Sequence, residues 1–307
     1  MYISHSDTYV REFCVSILSK LAASCRITCL IFKIDLFNPI FSTIKTTNNL
    51  TLLESTLELL YILTNAPAAL SILPDMTNFE MSIIMTLLDS PEKKISDIAF
   101  EIVRKLTYLG LEVFQKMFRT EKLVEKMFDV IMNAGKLEYH QKALNIILNS
   151  IKCEETSSYF IKSLEFLKFC QWVKTCDQDY LLPCVTIFEK LSKMPPIKQM
   201  LFDLSVEDSI LYFLRSMDKD VLNMTCEAIS NMSTHKYCCE RMVTPTVLKE
   251  LMQILRGDPE NKFALKTIYD LTRRNLNTLD MICTIEAQDV LLNYFKNGVN
   301  MLPEESF

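Results

Sequence analysis

The stretch VLNMTCEAISNM, residues 221–232, sets the reading of the whole chain. With Thr225 taken as position zero, Val221 stands at −4, Ile229 at +4 and Met232 at +7, the spacing that keeps side chains on one face of a helix. The same template fits six more places. Its zero positions are Cys14, Thr56, Ala99, Ala143, Cys184, Thr225 and Ala264, at intervals of 42, 43, 44, 41, 41 and 39 residues.

Position +4 is filled by Leu18, Leu60, Val103, Ile147, Phe188, Ile229 and Ile268. Position +7 is filled by Leu21, Leu63, Leu106, Ser150, Leu191, Met232 and Leu271, where Ser150 alone departs from the apolar rule. Positions −4, 0, +1, +4 and +7 together span an arc of roughly 140°, wider than the stripe of a helix lying on a surface. A helix apolar over that arc is packed on more than one side, as the inner helix of a stacked repeat is. Helices are expected near 8–24, 50–65, 93–109, 137–152, 178–193, 219–234 and 259–274.

A period near 40 residues is that of helical solenoids. The small residue at zero, the aliphatic residue at +4 and the Asn231-Met232 pair at +6/+7 resemble the third helix of an armadillo repeat, over essentially the whole chain. The resemblance implies an all-α, right-handed α–α superhelix of about seven armadillo-like repeats over residues 1–298, with 299–307 as a short tail. The glycine that opens the second helix of such repeats is missing, which leaves a HEAT-like subtype open. Residues 55–64, STLELLYILT, also look like part of the armadillo region of AT-rich-interaction-domain subunits of chromatin remodellers.

Composition agrees with a helical chain. Apolar residues make up 49% of the 307, and only four glycines are present, which argues against sheet-rich folds with many tight turns. Net charge is −5, so there is no overall bias toward nucleic acid or anionic membrane. No apolar run approaches the roughly 20 residues that span a bilayer. The eleven cysteines include Cys14, Cys184 and Cys226 at core positions, where cysteine acts as a small hydrophobe, and the expected compartment is reducing, cytoplasmic or nuclear.

In chain order, an inner helix at 4–24 with Asp7 near its start implies that the chain begins partway through a unit and presents an apolar edge. Residues 34–44 read as an outer helix begun or kinked near Pro39. Turns are expected at Asp89-Ser90-Pro91, Asn133-Ala134-Gly135, Asp218-Lys219-Asp220 and Gly257-Asp258-Pro259. Segments 113–119, 197–202 and 237–243 take the place of a first helix, and 121–132 and 245–255 that of a second. Residues 153–176, rich in Phe, Cys and Ser without a clean turn, are expected to be irregular.

No glycine-rich phosphate loop, GxSxG or HExxH is present, and the three histidines, His5, His140 and His235, are scattered. His235, Cys238 and Cys239 lie close together but lack a Cys-x-x-Cys partner, and Cys25 and Cys29 read likewise as packing residues. No enzyme, metal, cofactor or small-molecule substrate is expected.

The polar side of the inner helices carries the functional expectation. Position +2 holds three Glu and one Lys, +6 three Lys and one Asp, and +9 two Lys and one Arg, a strip of +3 on a chain of −5. In an armadillo-like superhelix this face lines the concave groove. The candidate partner-binding residues are Lys105, Tyr108, Asn149, Lys152, Lys190, Lys193, Asn231 and Arg273, and the expected ligand is an extended acidic or phosphorylated protein segment. The alternative is a solvated helix face, on which Glu101 and Lys105, at i and i+4 in the favourable order, pair with each other. Nuclear-import armadillo proteins repeat a tryptophan at +2; here +2 never holds one, which argues against binding of basic localisation signals. The alternative role is an architectural subunit of a larger assembly, chromatin or cytoskeletal, docked through the N-terminal edge and outer helices.

Overall fold

Side-chain oxygens start several of the helices. Asp7 accepts from the Tyr9 amide at 2.8 Å, Asp218 from the Asp220 and Val221 amides at 2.8 and 3.2 Å, and Asn261 from the Ala264 amide at 2.9 Å. Each satisfies donors that a helix N-terminus leaves without partners. Thr244 does the same for the Val247 amide at 3.2 Å, with Pro245 supplying the preset φ of the first turn. At Asn133 the side chain accepts from the Gly135 amide and opens a short 3-10 turn, Ala134–Lys136. The Gly257-Asp258-Pro259 turn ends one helix, but the cap of the next is Asn261, two residues beyond the proline.

The computed structural model describes residues 2–23, 36–65, 81–109, 123–204, 206–284, 289–290 and 292, and these residues are all-helical. The chain divides into two compact units, Met1–Lys152 and Cys153–Phe307. The expected helix at 113–119, the pair Cys25 and Cys29, and the C-terminal tail lie outside the described residues.

In the first unit, α1 (Thr8–Ala22), α3 (Leu50–Asn65), α5 (Lys93–Leu109) and α7 (Leu137–Ser150) pack in a row, each on the next. A second layer, α2 (Phe37–Thr46), α4 (Met81–Leu87) and α6 (Leu123–Met132), covers α3, α5 and α7 in turn. Pro39 sits in the first turn of α2, where its missing N–H costs nothing.

The second unit is built from triads: α8 (Glu154–Lys162), α9 (Leu164–Trp172) and α10 (Leu181–Ser192); α11 (Pro195–Asp203), α12 (Glu207–Leu214) and α13 (Lys219–Ser233); α14 (Lys236–Met242), α15 (Pro245–Gly257) and α16 (Lys262–Arg274). α17 (Asn277–Thr284) follows and packs on α15 and α16. The third members α10, α13 and α16 form one row, the first members α8, α11 and α14 another, and α12 packs on α15. The stretch 153–176, expected to be irregular, is two ordered helices separated by Ser163. Phe160, Phe166 and Phe169 leave solvent together there, with ring centroids 5.2–6.4 Å apart.

The stacked helices bury the template positions. Thr56, Ala99, Ala143, Cys184, Thr225 and Ala264 at position zero are all fully buried, as are Leu60, Val103, Ile147, Phe188 and Ile229 at +4. Small residues at zero let neighbouring helices approach closely. The polar ones are tolerated because their hydroxyls donate to the carbonyl four residues back: Thr56 to Leu52 at 2.6 Å, Thr225 to Val221 at 2.6 Å, and Ser150 to Ile146 at 2.7 Å. In α1 the pattern is weaker, with Val15 buried and Leu21 exposed.

Candidate functional site

Each unit turns one polar face of its stacked helices outward. In the first unit Lys105, Tyr108, Asn149 and Lys152 come together between the C-terminal turns of α5 and α7. Tyr108 is 61% exposed, with the Lys105 ammonium 5.8 Å and the Lys152 ammonium 5.3 Å from its ring centroid. Lys152 also donates to the Tyr108 carbonyl at 2.7 Å, one of the last four carbonyls of α5 that the helix itself cannot satisfy. The Asn149 amide donates to the Arg104 carbonyl at 3.4 Å. Both bonds cross one sequence period, so these residues fasten α7 to α5 while presenting two cations around an aromatic face.

The surrounding charges are paired. Glu101 binds Arg104 at 2.7 Å and Lys142 at 3.4 Å, and Lys142 reaches Asp97 at 3.3 Å. The Glu101–Lys105 pair that a merely solvated face would carry is not formed. Arg104, three residues on, meets Glu101 instead, and Lys105 leans over Tyr108.

In the second unit the Asn231 amide donates to the Ser192 hydroxyl at 3.3 Å, again one period away, and Lys193 contacts Glu189 at 2.5 Å. Lys190 is half-buried, and burial pushes its amine below the usual lysine range. Arg273 is exposed at the end of α16. Its neighbour Arg274 donates to the Ser233 hydroxyl at 2.5 Å and stands 3.4 Å from Asp270, which accepts from Ser230.

Between α10, α13 and α16 lies a cavity of about 230 Å³, lined on its polar side by Glu189, Lys193, Glu227, Asn231 and Lys266, with Phe263 as an apolar wall. Of the sequence candidates, Lys193 and Asn231 reach it, while Lys190 and Arg273 do not line it. Glu189 was missed because it lies one position off the strip. Its i,i+4 relation to Lys193 was the available signal.

The cysteines bear on reactivity. Cys238 Sγ lies 3.3 Å from His235 Nδ1, yet burial pushes its thiol up to about 11, so the thiolate is disfavoured at neutral pH and the pair is a part-buried hydrogen bond. Burial likewise pushes Cys170 and Cys226 up to about 12. Among the described residues no group of three or more His, Cys, Asp or Glu side chains is placed to hold a metal, and no helix is long and apolar enough to cross a membrane.

No family model matches the chain, and no curated protein does. Its fold does match solved structures. One is a crystal structure of an engineered protein from the Northeast Structural Genomics Consortium, at TM-score 0.76 and 13% identity, covering 97% of this chain and 73% of that one. A second engineered protein from the same consortium matches at TM-score 0.58 and 12% identity, over 76% of this chain and 96% of that one. At these identities the likeness is one of fold.

Proposed function

We propose that the protein is a non-catalytic adaptor or scaffold, an armadillo-like right-handed solenoid of about seven repeats that binds an extended acidic or phosphorylated protein segment along the polar face of its inner helices. The observation that carries this reading is the cluster at Tyr108. An exposed tyrosine flanked by two ammonium groups offers stacking and charge together, and Glu101 nearby is already paired with Arg104 and Lys142. The Asn149 and Lys152 bonds to α5 hold this face in place before a partner arrives, which lowers the ordering cost of binding. The working location is the cytoplasm or nucleus.

The test is fluorescence anisotropy with a labelled Glu-rich, phosphoserine-bearing decapeptide. Lys105→Ala/Lys152→Ala weakens binding by about tenfold and flattens its salt dependence. Equal affinity of the double variant contradicts the reading.

A second reading rests on α1. Tyr9, Phe13, Ile17 and Leu21, at successive i,i+4 steps, are 74, 71, 55 and 39% exposed. Such a stripe suits docking into a larger assembly. It predicts that Phe13→Glu/Ile17→Glu removes the protein from a high-mass fraction while leaving peptide binding intact.

A further inference from the structure

The cavity between α10, α13 and α16 is built for a ligand of the opposite sign to the one the polar strip attracts. Its fixed groups are acceptors. The Ser230 hydroxyl gives its proton to Asp270, and the Thr267 hydroxyl gives its proton to the Cys226 and Phe263 carbonyls at 2.8 and 2.9 Å. What these side chains retain is oxygen lone pairs. Asn231 spends one amide proton on Ser192 and keeps its Oδ1 together with a second N–H.

The two carboxylates are held differently. Glu189 is 3% exposed, and its Oε1 accepts no well-directed hydrogen bond; its close charge is the Lys193 ammonium at 2.5 Å, on a side chain 61% exposed. A buried carboxylate neutralised by a side chain that stands mostly in water is open to exchange of its cation. Glu227 is half-buried and forms no ion pair among the described residues. The cavity's two lysines, Lys193 and Lys266, are exposed and flexible, and either can swing into solvent. Phe263, 38% exposed, offers a ring to a planar group.

We infer that this cavity receives the side chain of an arginine from the partner protein, whose guanidinium replaces Lys193 at Glu189, turns a second edge to Glu227 and lies against Phe263. Guanidinium brings five donors and no acceptor in a planar fork, which matches paired carboxylates and acceptor oxygens better than an ammonium does, and a neutral amide lacks the charge. The inference adds a basic anchor to the acidic segment proposed above and holds whether or not the rest of the partner is acidic.

The experiment is ligand-observed saturation-transfer NMR on the intact chain with three probes: N-acetyl-arginine methylamide, its neutral isostere N-acetyl-citrulline methylamide, and N-acetyl-glutamate methylamide. The arginine probe binds about tenfold more tightly than the other two, and Glu227→Gln removes that advantage. Glu189→Gln does the same; because Glu189 is buried, its variant is read only where circular dichroism matches wild type, and Glu227→Gln decides otherwise. Lys105→Ala/Lys152→Ala leaves the arginine probe unaffected, so failure here is separable from failure of the acidic-segment reading. Equal binding of arginine and citrulline, tighter binding of glutamate, or an arginine preference that survives Glu227→Gln overturns the inference.

Discussion

Phe188 joins three helices of the second unit, and cutting it back should loosen all three. Its side chain is 1% exposed, and its ring lies 5.8 Å from Phe169 in a stacked arrangement, 6.0 Å from Phe166 and 5.5 Å edge-on from Phe213. Truncating a buried phenylalanine to alanine costs about 3–5 kcal/mol. The three ring contacts, each adding roughly 0.5–1.5 kcal/mol beyond burial, place Phe188→Ala at the upper end of that range. Phe188→Leu keeps most of the volume and should lose about 1–2 kcal/mol. Trp172, the sole tryptophan, stacks 6.3 Å from Phe169 and lies 6.0 Å from Tyr180, so its fluorescence reports this cluster directly. With a urea m-value of about 2–3 kcal/mol/M, a loss of about 5 kcal/mol moves the fluorescence midpoint down by roughly 1.7–2.5 M. A shift below about 0.5 M for the alanine variant, or equal shifts for alanine and leucine, would refute the claim that these rings hold the triads together.

Asp218→Ala, which strips the cap from α13, should cost about 1 kcal/mol in chemical denaturation, while Asp218→Asn should stay within a few tenths; equal losses would mean that the cap bonds do not stabilise the helix. Alkali should weaken the fold through its buried thiols. Cys170 and Cys226 titrate near 12 when folded and near 9 when unfolded, so their contribution is intact below pH 9 and declines as pH rises toward 12. The urea midpoint should therefore fall between pH 8 and pH 10, by less in Cys226→Ala. At pH 8 a disulfide-exchange reagent should modify exposed Cys283 rapidly and reach Cys226 only after unfolding. Rapid modification of Cys226 in the folded chain would contradict its burial.

Why the inner helices were readable is visible at Thr225. A small residue flanked at −4, +1, +4 and +7 by apolar ones must be packed on two sides, and Val221, Cys226, Ile229 and Met232 are indeed all buried. The caps Asp7 and Asp218 were legible because short acceptor side chains before an apolar run have few other uses. α8 and α9 were not, since only Ser163 separates them and neither glycine nor proline marks the joint. The site was harder. Counting the strip treats every charge as free, whereas Glu101 is taken by Arg104 and Lys142, and Asn149 and Lys152 are bonded across a period to α5. Glu189, one more polar residue on α10, is buried where α13 packs on that helix, which no local pattern records.

The most direct measurement is affinity purification with mass spectrometry from the source cells, comparing wild type with Lys105→Ala/Asn149→Ala/Lys190→Ala/Asn231→Ala after matching the two by circular dichroism and melting temperature. Loss of a defined set of protein partners from the folded variant is the predicted result. An unchanged set would contradict the assignment of partner binding to the polar face of the inner helices.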